Sequence, residues 1–332
     1  MDYLAMLEML QTLHATAGDE MPLARTLQAL AAPHCDDCRL DVMGNVIVHK
    51  SGTGPKVMLA AHMDVPGLVV THIEESGELR VGALGALSVK TALHSPYRFK
   101  NGVEGVLCIE EKALEKKEPT IQDLFLDIGA KDGAAAEALV QVGDTAMSAL
   151  PITFANGRVA APHANLFACL VLLDAMEQIK SSDNDLYFVF TTQENLGMRG
   201  AKIAAFSVAP DYAVTIDLTR AAELESKHSG SSKLAAGAAI KVIDSAVICH
   251  PQMIERLAQL AAEKEIPFQR DVVSKGESGG GVLQVSGPGV LTGGVGIPCR
   301  YRGSRVEMID LDDAAACARL LAAFAATALT AE

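Results

Sequence analysis

Three short apolar runs in this chain each lead into an acid or an imidazole. Lys56 to Ala61 runs into His62-Met63-Asp64, Leu186 to Phe190 into Thr191-Thr192-Gln193-Glu194-Asn195, and Tyr212 to Ile216 into Asp217. A short apolar run bounded by polar residues reads as a strand buried on both faces. Helix-period segments alternate with these runs: Leu4, Leu7, Leu10 and Leu13; Met21 to Ala32; Asn165 to Lys180; Gln252 to Lys264; Leu311 to Leu329. That alternation predicts an α/β sheet covered by helices. Such sheets place their chemistry beyond the carboxyl ends of the strands. His62, Asp64, Glu194 and Asp217 are therefore the first candidate site residues, with Glu194 the first choice for a catalytic acid or base.

The texture changes between about Leu68 and Asn156. Val69 to Ile73, Leu79 to Val81, Tyr97 to Phe99, Val103 to Ile109 and Leu124 to Ile128 are β-like stretches separated by Gly-, Asn- and charge-rich turns. The expectation is a small β-domain, residues 67–156, inserted into an α/β domain made of residues 1–66 and 157–332. Further strands are expected at Ala238 to Val242 and Val290 to Gly294, and a hairpin or bulged strand around Met43-Gly44-Asn45. The 332 residues suit two domains.

Charge and cysteine usage exclude some partners. A formal net charge of −13 argues against nucleic acid or an anionic membrane. No apolar stretch is long enough for a membrane span, and Met1-Asp2-Tyr3-Leu4 carries no basic leader. Seven scattered cysteines suggest reduced thiols and a cytoplasmic location. The Cys35-x-x-Cys38 pair lacks a second pair at zinc-knuckle spacing and reads as surface. The basic stretch Arg300 to Arg305 reads as needing no special partner. Ser278 to Gly281 reads as a pocket wall, and Ser229 to Ser232 as a loop.

His, Asp and Glu gathered at one sheet edge can bind a divalent ion and position a water. On a strand, His62 and Asp64 point to one face, so Asp64 could accept the second ring N–H of His62 and fix its tautomer. Taken singly, each of these groups could instead be a strand-end polar residue meeting solvent.

The order of these motifs also resembles a known family. Ala61-His62-Met63-Asp64-Val65-Pro66-Gly67, Gln193 to Ala201, Val214 to Thr219 and Ile297 to Glu307 are similar to four motifs of the tetrahedral, glutamyl and deblocking aminopeptidases, metallopeptidase family forty-two. The resemblance spans nearly the whole chain. It implies a phosphorylase/hydrolase-like, three-layer αβα catalytic domain, a PDZ-like inserted β-domain and a homo-oligomer, either dodecamer or dimer. It also implies a peptide or small-molecule substrate and, where the family carries two divalent ions, an expectation of one here, zinc or cobalt. By the resemblance, Glu194 is the general base, Asp64 supports the site, and His62 and Asp217 are metal ligands.

The match departs at other ligand positions. Asn195 stands where the family has a glutamate, Gly303 where it has a histidine, and His163-Ala164-Asn165 where it has a bridging aspartate. A neutral imidazole cannot bridge two cations as a carboxylate does. His62, His163 and Asp217 would suffice for a single ion with an open position, while His163 beside Pro162 equally reads as a loop residue. Two functions follow: a metal-dependent aminopeptidase-type hydrolase with a degenerate, mononuclear site, or a catalytically inactive homologue with a binding, assembly or regulatory role.

Overall fold

A computed structural model describes residues 1–223, 231–273 and 278–329. Ser229 and Gly230 of the Ser/Gly-rich turn lie outside the described residues. An 11-stranded sheet forms the larger body. Its centre is four parallel strands, in the order Asp185–Thr191, Lys56–His62, Tyr212–Arg220, Leu291–Arg300. The first three are the apolar runs of the sequence, and their alternation with helical segments explains the helices on both faces. Val57, Leu59 and Ala61 point into a core shared with the helices Tyr3–Leu10, Met21–Ala31, Leu166–Gln178, Pro251–Glu263 and Leu311–Ala326. Met58 and Ala60 point the other way, against Ala201, Ala204 and Ala205 of helix Arg199–Val208 and Leu283 of the short helix Gly280–Gln284.

A second unit is a closed six-stranded barrel running from Gly67–Ile73 to Thr145–Ser148. Alternate residues such as Leu68, Val70, Leu79, Val81, Tyr97, Phe99, Leu107, Leu124 and Leu126 fill it as a separate core. Closure leaves no unpaired strand edge on this small sheet. The next strand, Thr153–Ala155, pairs with Arg158–Ala161 in the large sheet, so the barrel strands stop short of residue 156. The predicted strand at Val290 to Gly294 is longer, Leu291–Arg300, and its extension carries the chain to the sheet edge where His62 and Asp217 end. All seven cysteines are free thiols. No helix among the described residues is long and apolar enough to cross a membrane.

Candidate active site

Strand register places the first two site residues side by side. Ala61 pairs with Ile216, so the next residues along these parallel strands, His62 and Asp217, stand level at the carboxyl edge of the sheet. His62 Nε2 lies 3.5 Å from Asp217 Oδ1. Its other ring nitrogen, Nδ1, is 3.1 Å from the main-chain carbonyl of Asp64, to which it can only donate. The Asp64 carboxylate is farther off, 3.6 Å from the same nitrogen. Thus the carbonyl, rather than the expected carboxylate, orients the ring.

The Asp64 carboxylate serves the loop that carries Glu194. It is 0% exposed and accepts from the backbone N–H of Glu194 (2.8 Å), the backbone N–H of Asn195 (2.9 Å) and Asn195 Nδ2 (2.8 Å). These donors begin the short 3-10 turn Glu194–Leu196, whose free N–H groups favour an anion. Gln193, at φ +54°, turns the chain into it and donates its N–H to Glu20. The barrel approaches here as well. A Cβ at Gly85 would lie 2.6 Å from Asn195 Oδ1, so only glycine lets the barrel loop pass so closely.

Glu194 itself is half-buried at the cleft. A Cβ added at Gly279 would sit 3.4 Å from both of its carboxylate oxygens, so the glycine cluster forms the wall behind it. Burial pushes the Glu194 pKa up to about 7, offset in part by His62 and reinforced by Asp217 and Asp64. The His62 ring is disfavoured as a cation by burial, but Asp217 and Asp64 prevail and hold its pKa well above the ordinary histidine value. Asp217 is held far below the usual carboxylate range: burial opposes this, while Arg302 and His62 outweigh it.

Arg302 is the residue that sequence reasoning passed over. Its Nη2 donates to Asp217 Oδ2 at 2.8 Å. Asp217 Oδ1 accepts the backbone N–H of Leu218 at 2.6 Å. Arg302 arrives through a tight turn after strand Leu291–Arg300, in which Tyr301 and Gly303 both have positive φ, +60° and +80°. The Gly303 N–H donates to Glu307 at 2.8 Å. The signal available in the sequence was a cation directly beside the position where the resemblance implies a lost histidine.

These groups line a cavity of about 400 Å³, which Asn165, Asn195 and Gly303 also face. A larger cavity, about 660 Å³ beside Phe206 and Pro288, lies apart from every candidate residue.

His163 is not brought to this cleft. It is 2% exposed and its Nε2 donates to the Ser148 carbonyl at 3.1 Å, in the seam between barrel and sheet. The residue of that segment that turns toward the cleft is Asn165, whose Nδ2 donates to the Asp64 carbonyl at 3.1 Å. Burial, with Arg305, Arg98 and His14 nearby, pushes the His163 pKa down to about 4. Arg305 lies over the Tyr97 ring at 4.6 Å, donates to the Tyr97 hydroxyl at 2.7 Å and to the Ser148 hydroxyl. The stretch Arg300 to Arg305 thus supplies one cation to the cleft and one to the seam.

Comparison with known proteins places this geometry. The family described as M42 glutamyl aminopeptidase matches residues 44–320. The chain belongs to the M42 aminopeptidase family. It is 32% identical over 291 residues to the lysyl aminopeptidase of Pyrococcus furiosus, covering 84% of this chain and 83% of that one. The glutamyl aminopeptidase of Lactococcus lactis is 26% identical over 326 residues, 92% and 90% of the two chains. Among solved structures, the aminopeptidase APDkam598 of Desulfurococcus kamchatkensis superimposes with a TM-score of 0.93 at 33% identity, covering 98% of this chain and 95% of its own. A dodecamer titled PhTET1-12s superimposes at 0.89 with 25% identity, covering 98% and 99%.

M42 enzymes depend on divalent metal, so the donor set can be tested against that need. A catalytic zinc takes three protein ligands. Among the described residues, no three His, Cys, Asp or Glu side chains are grouped to hold one ion. His62 and Asp217 are adjacent, but Asp217 Oδ2 is taken by a guanidinium at 2.8 Å, and the neighbouring side chains at Asn165 and Asn195 are neutral amides. The residues present do not fit the family's metal centre.

Proposed function

We propose that this M42 member keeps the aminopeptidase cleft as a binding site for peptide-like ligands and is a weak or inactive hydrolase. One observation carries the reading: Asp217, the best-placed ligand after His62, is already neutralised by Arg302. A mononuclear zinc or cobalt centre at His62, Asp217 and His163 would require His163 to leave a buried hydrogen bond to the barrel. The cavity of about 400 Å³ is within the range of small-ligand sites. A closed homo-oligomer in the cytoplasm, with the barrel as an inserted module, completes the proposal. The oligomer in this proposal is supported by the PhTET1-12s neighbour, described as a dodecamer.

A second reading, residual hydrolysis, is favoured by Glu194. A carboxylate with a pKa near 7 inside a cleft is suited to take a proton from water at neutral pH. The test is a screen of aminoacyl anilides and short peptides, with and without added zinc or cobalt, alongside peptide binding by calorimetry. The expected result is measurable binding with turnover at least about 10²-fold below the 1–10³ per second typical of enzymes. Robust metal-dependent turnover within that range would contradict the proposal.

A further inference from the structure

We propose that Arg302 is a built-in cation that occupies the electrostatic place of the family's divalent ion, so that the cleft of this chain is complete without metal. The inference deepens the reading of a cleft without metal-assisted turnover and rests on it.

Four observations converge. First, both Asp217 oxygens are already engaged. Oδ2 holds Arg302 at 2.8 Å, while Oδ1 accepts Leu218 N–H at 2.6 Å and faces His62 Nε2 at 3.5 Å. A zinc ion would need to approach to about 2.0–2.2 Å of a carboxylate oxygen, where the guanidinium already donates. Second, the contacts form one chain along the sheet edge, Arg302 to Asp217 to His62 to Asp64, which links three strands through side chains. Third, the backbone is shaped to deliver Arg302. The positive φ of Tyr301 and Gly303 folds the turn back, and the Gly303 N–H is secured on Glu307. Fourth, the substitutions are concerted in chemistry. Asn165 and Asn195 at the cleft are neutral, so one monovalent cation replaces a higher charge where carboxylate donors are missing. Arginine suits this role because its charge is permanent and its planar fork matches a carboxylate.

The pair is largely buried, with 24% of the Arg302 and 10% of the Asp217 side chain exposed; breaking such a pair on one side strands a charge and is destabilising, whereas removing both partners together is far milder. This gives a test that is independent of any peptidase assay. Wild type, Arg302→Met, Asp217→Asn and the double variant are stripped with chelator, and melting is followed with and without millimolar zinc chloride. Zinc binding to the wild type is measured by calorimetry.

The wild type should bind no stoichiometric zinc, and chelator and zinc should leave its melting temperature unchanged. Arg302→Met should melt lower by about 10 °C and recover at least half of that loss when Asp217→Asn is added. Should Arg302→Met fail to fold, the double variant decides: folding there supports the proposal, and failure there overturns it. Stoichiometric zinc in the wild type overturns it. So does an Arg302→Met melting temperature equal to that of the wild type. Peptide turnover by a zinc-free wild type would refute the functional reading while leaving Arg302 in its place.

Discussion

The sequence offered His62 as a metal ligand by resemblance and His163 as either a third ligand or a loop residue, and the fold separates the two. His62 ends a central parallel strand, and register alone sets it level with Asp217 on the next strand. His163 lies where the chain leaves strand Arg158–Ala161 for helix Leu166–Gln178, and its ring is buried against the last barrel strand. One imidazole is drawn toward the cation by two carboxylates; the other is kept neutral by burial among Arg305, Arg98 and His14. The lesson is that a residue at the end of a sheet strand inherits its neighbours from register, whereas a loop residue three positions before a helix takes them from local packing. The cleft is an electrostatic device and the seam is a packing device.

The comparison can be broken at Asp64, where the largest effect is expected. Asp64→Ala would leave the N–H groups of Glu194 and Asn195 without their acceptor and the Asn195 amide with only the main-chain carbonyl at 3.3 Å. Each stranded buried donor costs about 1–3 kcal/mol, so urea denaturation should show a loss of about 4 kcal/mol or more. If the loss is under about 1 kcal/mol, the loop is not held by that carboxylate.

Acid titration sharpens the contrast from the seam side. A histidine whose folded pKa is lowered from 6.5 to about 4 binds its proton more readily when unfolded. Its contribution is therefore complete above about 6.5 and is lost as pH falls towards about 4. Each pH unit over which only the unfolded chain holds that proton is worth about 1.4 kcal/mol, so the loss amounts to about 3 kcal/mol. His163→Gln keeps a donor for the Ser148 carbonyl and removes the titration. Its stability should fall less steeply over that range, as read from urea midpoints at successive pH values. Parallel slopes for the variant and the wild type would place the acid sensitivity elsewhere.

The smallest effect is expected where the missing histidine would be restored. A Cβ at Gly303 meets nothing within 4 Å, so His fits sterically, but φ is +80°. The left-handed backbone costs a non-glycine residue about 1–2 kcal/mol, and histidine tolerates it better than most. Gly303→His alone should lower the melting temperature by a few degrees and bring no zinc with it, since Arg302 still occupies Asp217. Zinc acquired by this single variant would show that the guanidinium is easily displaced.

Much of this architecture was legible because it follows from period. The apolar runs at Lys56, Leu186 and Tyr212 became the central strands, and the change of texture after Leu68 became a barrel with its own core. Strand ends are also where side chains converge, so His62, Glu194 and Asp217 could be named together. Other features carry no periodic signal. Thr153–Ala155, Phe268–Val272 and Glu307–Asp310 are short edge or near-edge strands that only their partners define. Which of His163 and Asn165 faces the cleft depends on one peptide's orientation at a helix start. Arg302 was hidden because a cation near a loop ordinarily reads as solvated. Its place on Asp217 depends on a turn through Tyr301 and Gly303, and on that acid lying 85 positions earlier in the chain.

A crystal of the wild type soaked in zinc chloride, with diffraction recorded at the zinc absorption edge, tests the built-in cation most directly. No anomalous peak is expected between His62 and Asp217, and Arg302 should remain on Asp217 at close to 2.8 Å. An anomalous peak within about 2.2 Å of His62 Nε2 and an Asp217 oxygen, with the guanidinium swung away, would contradict it.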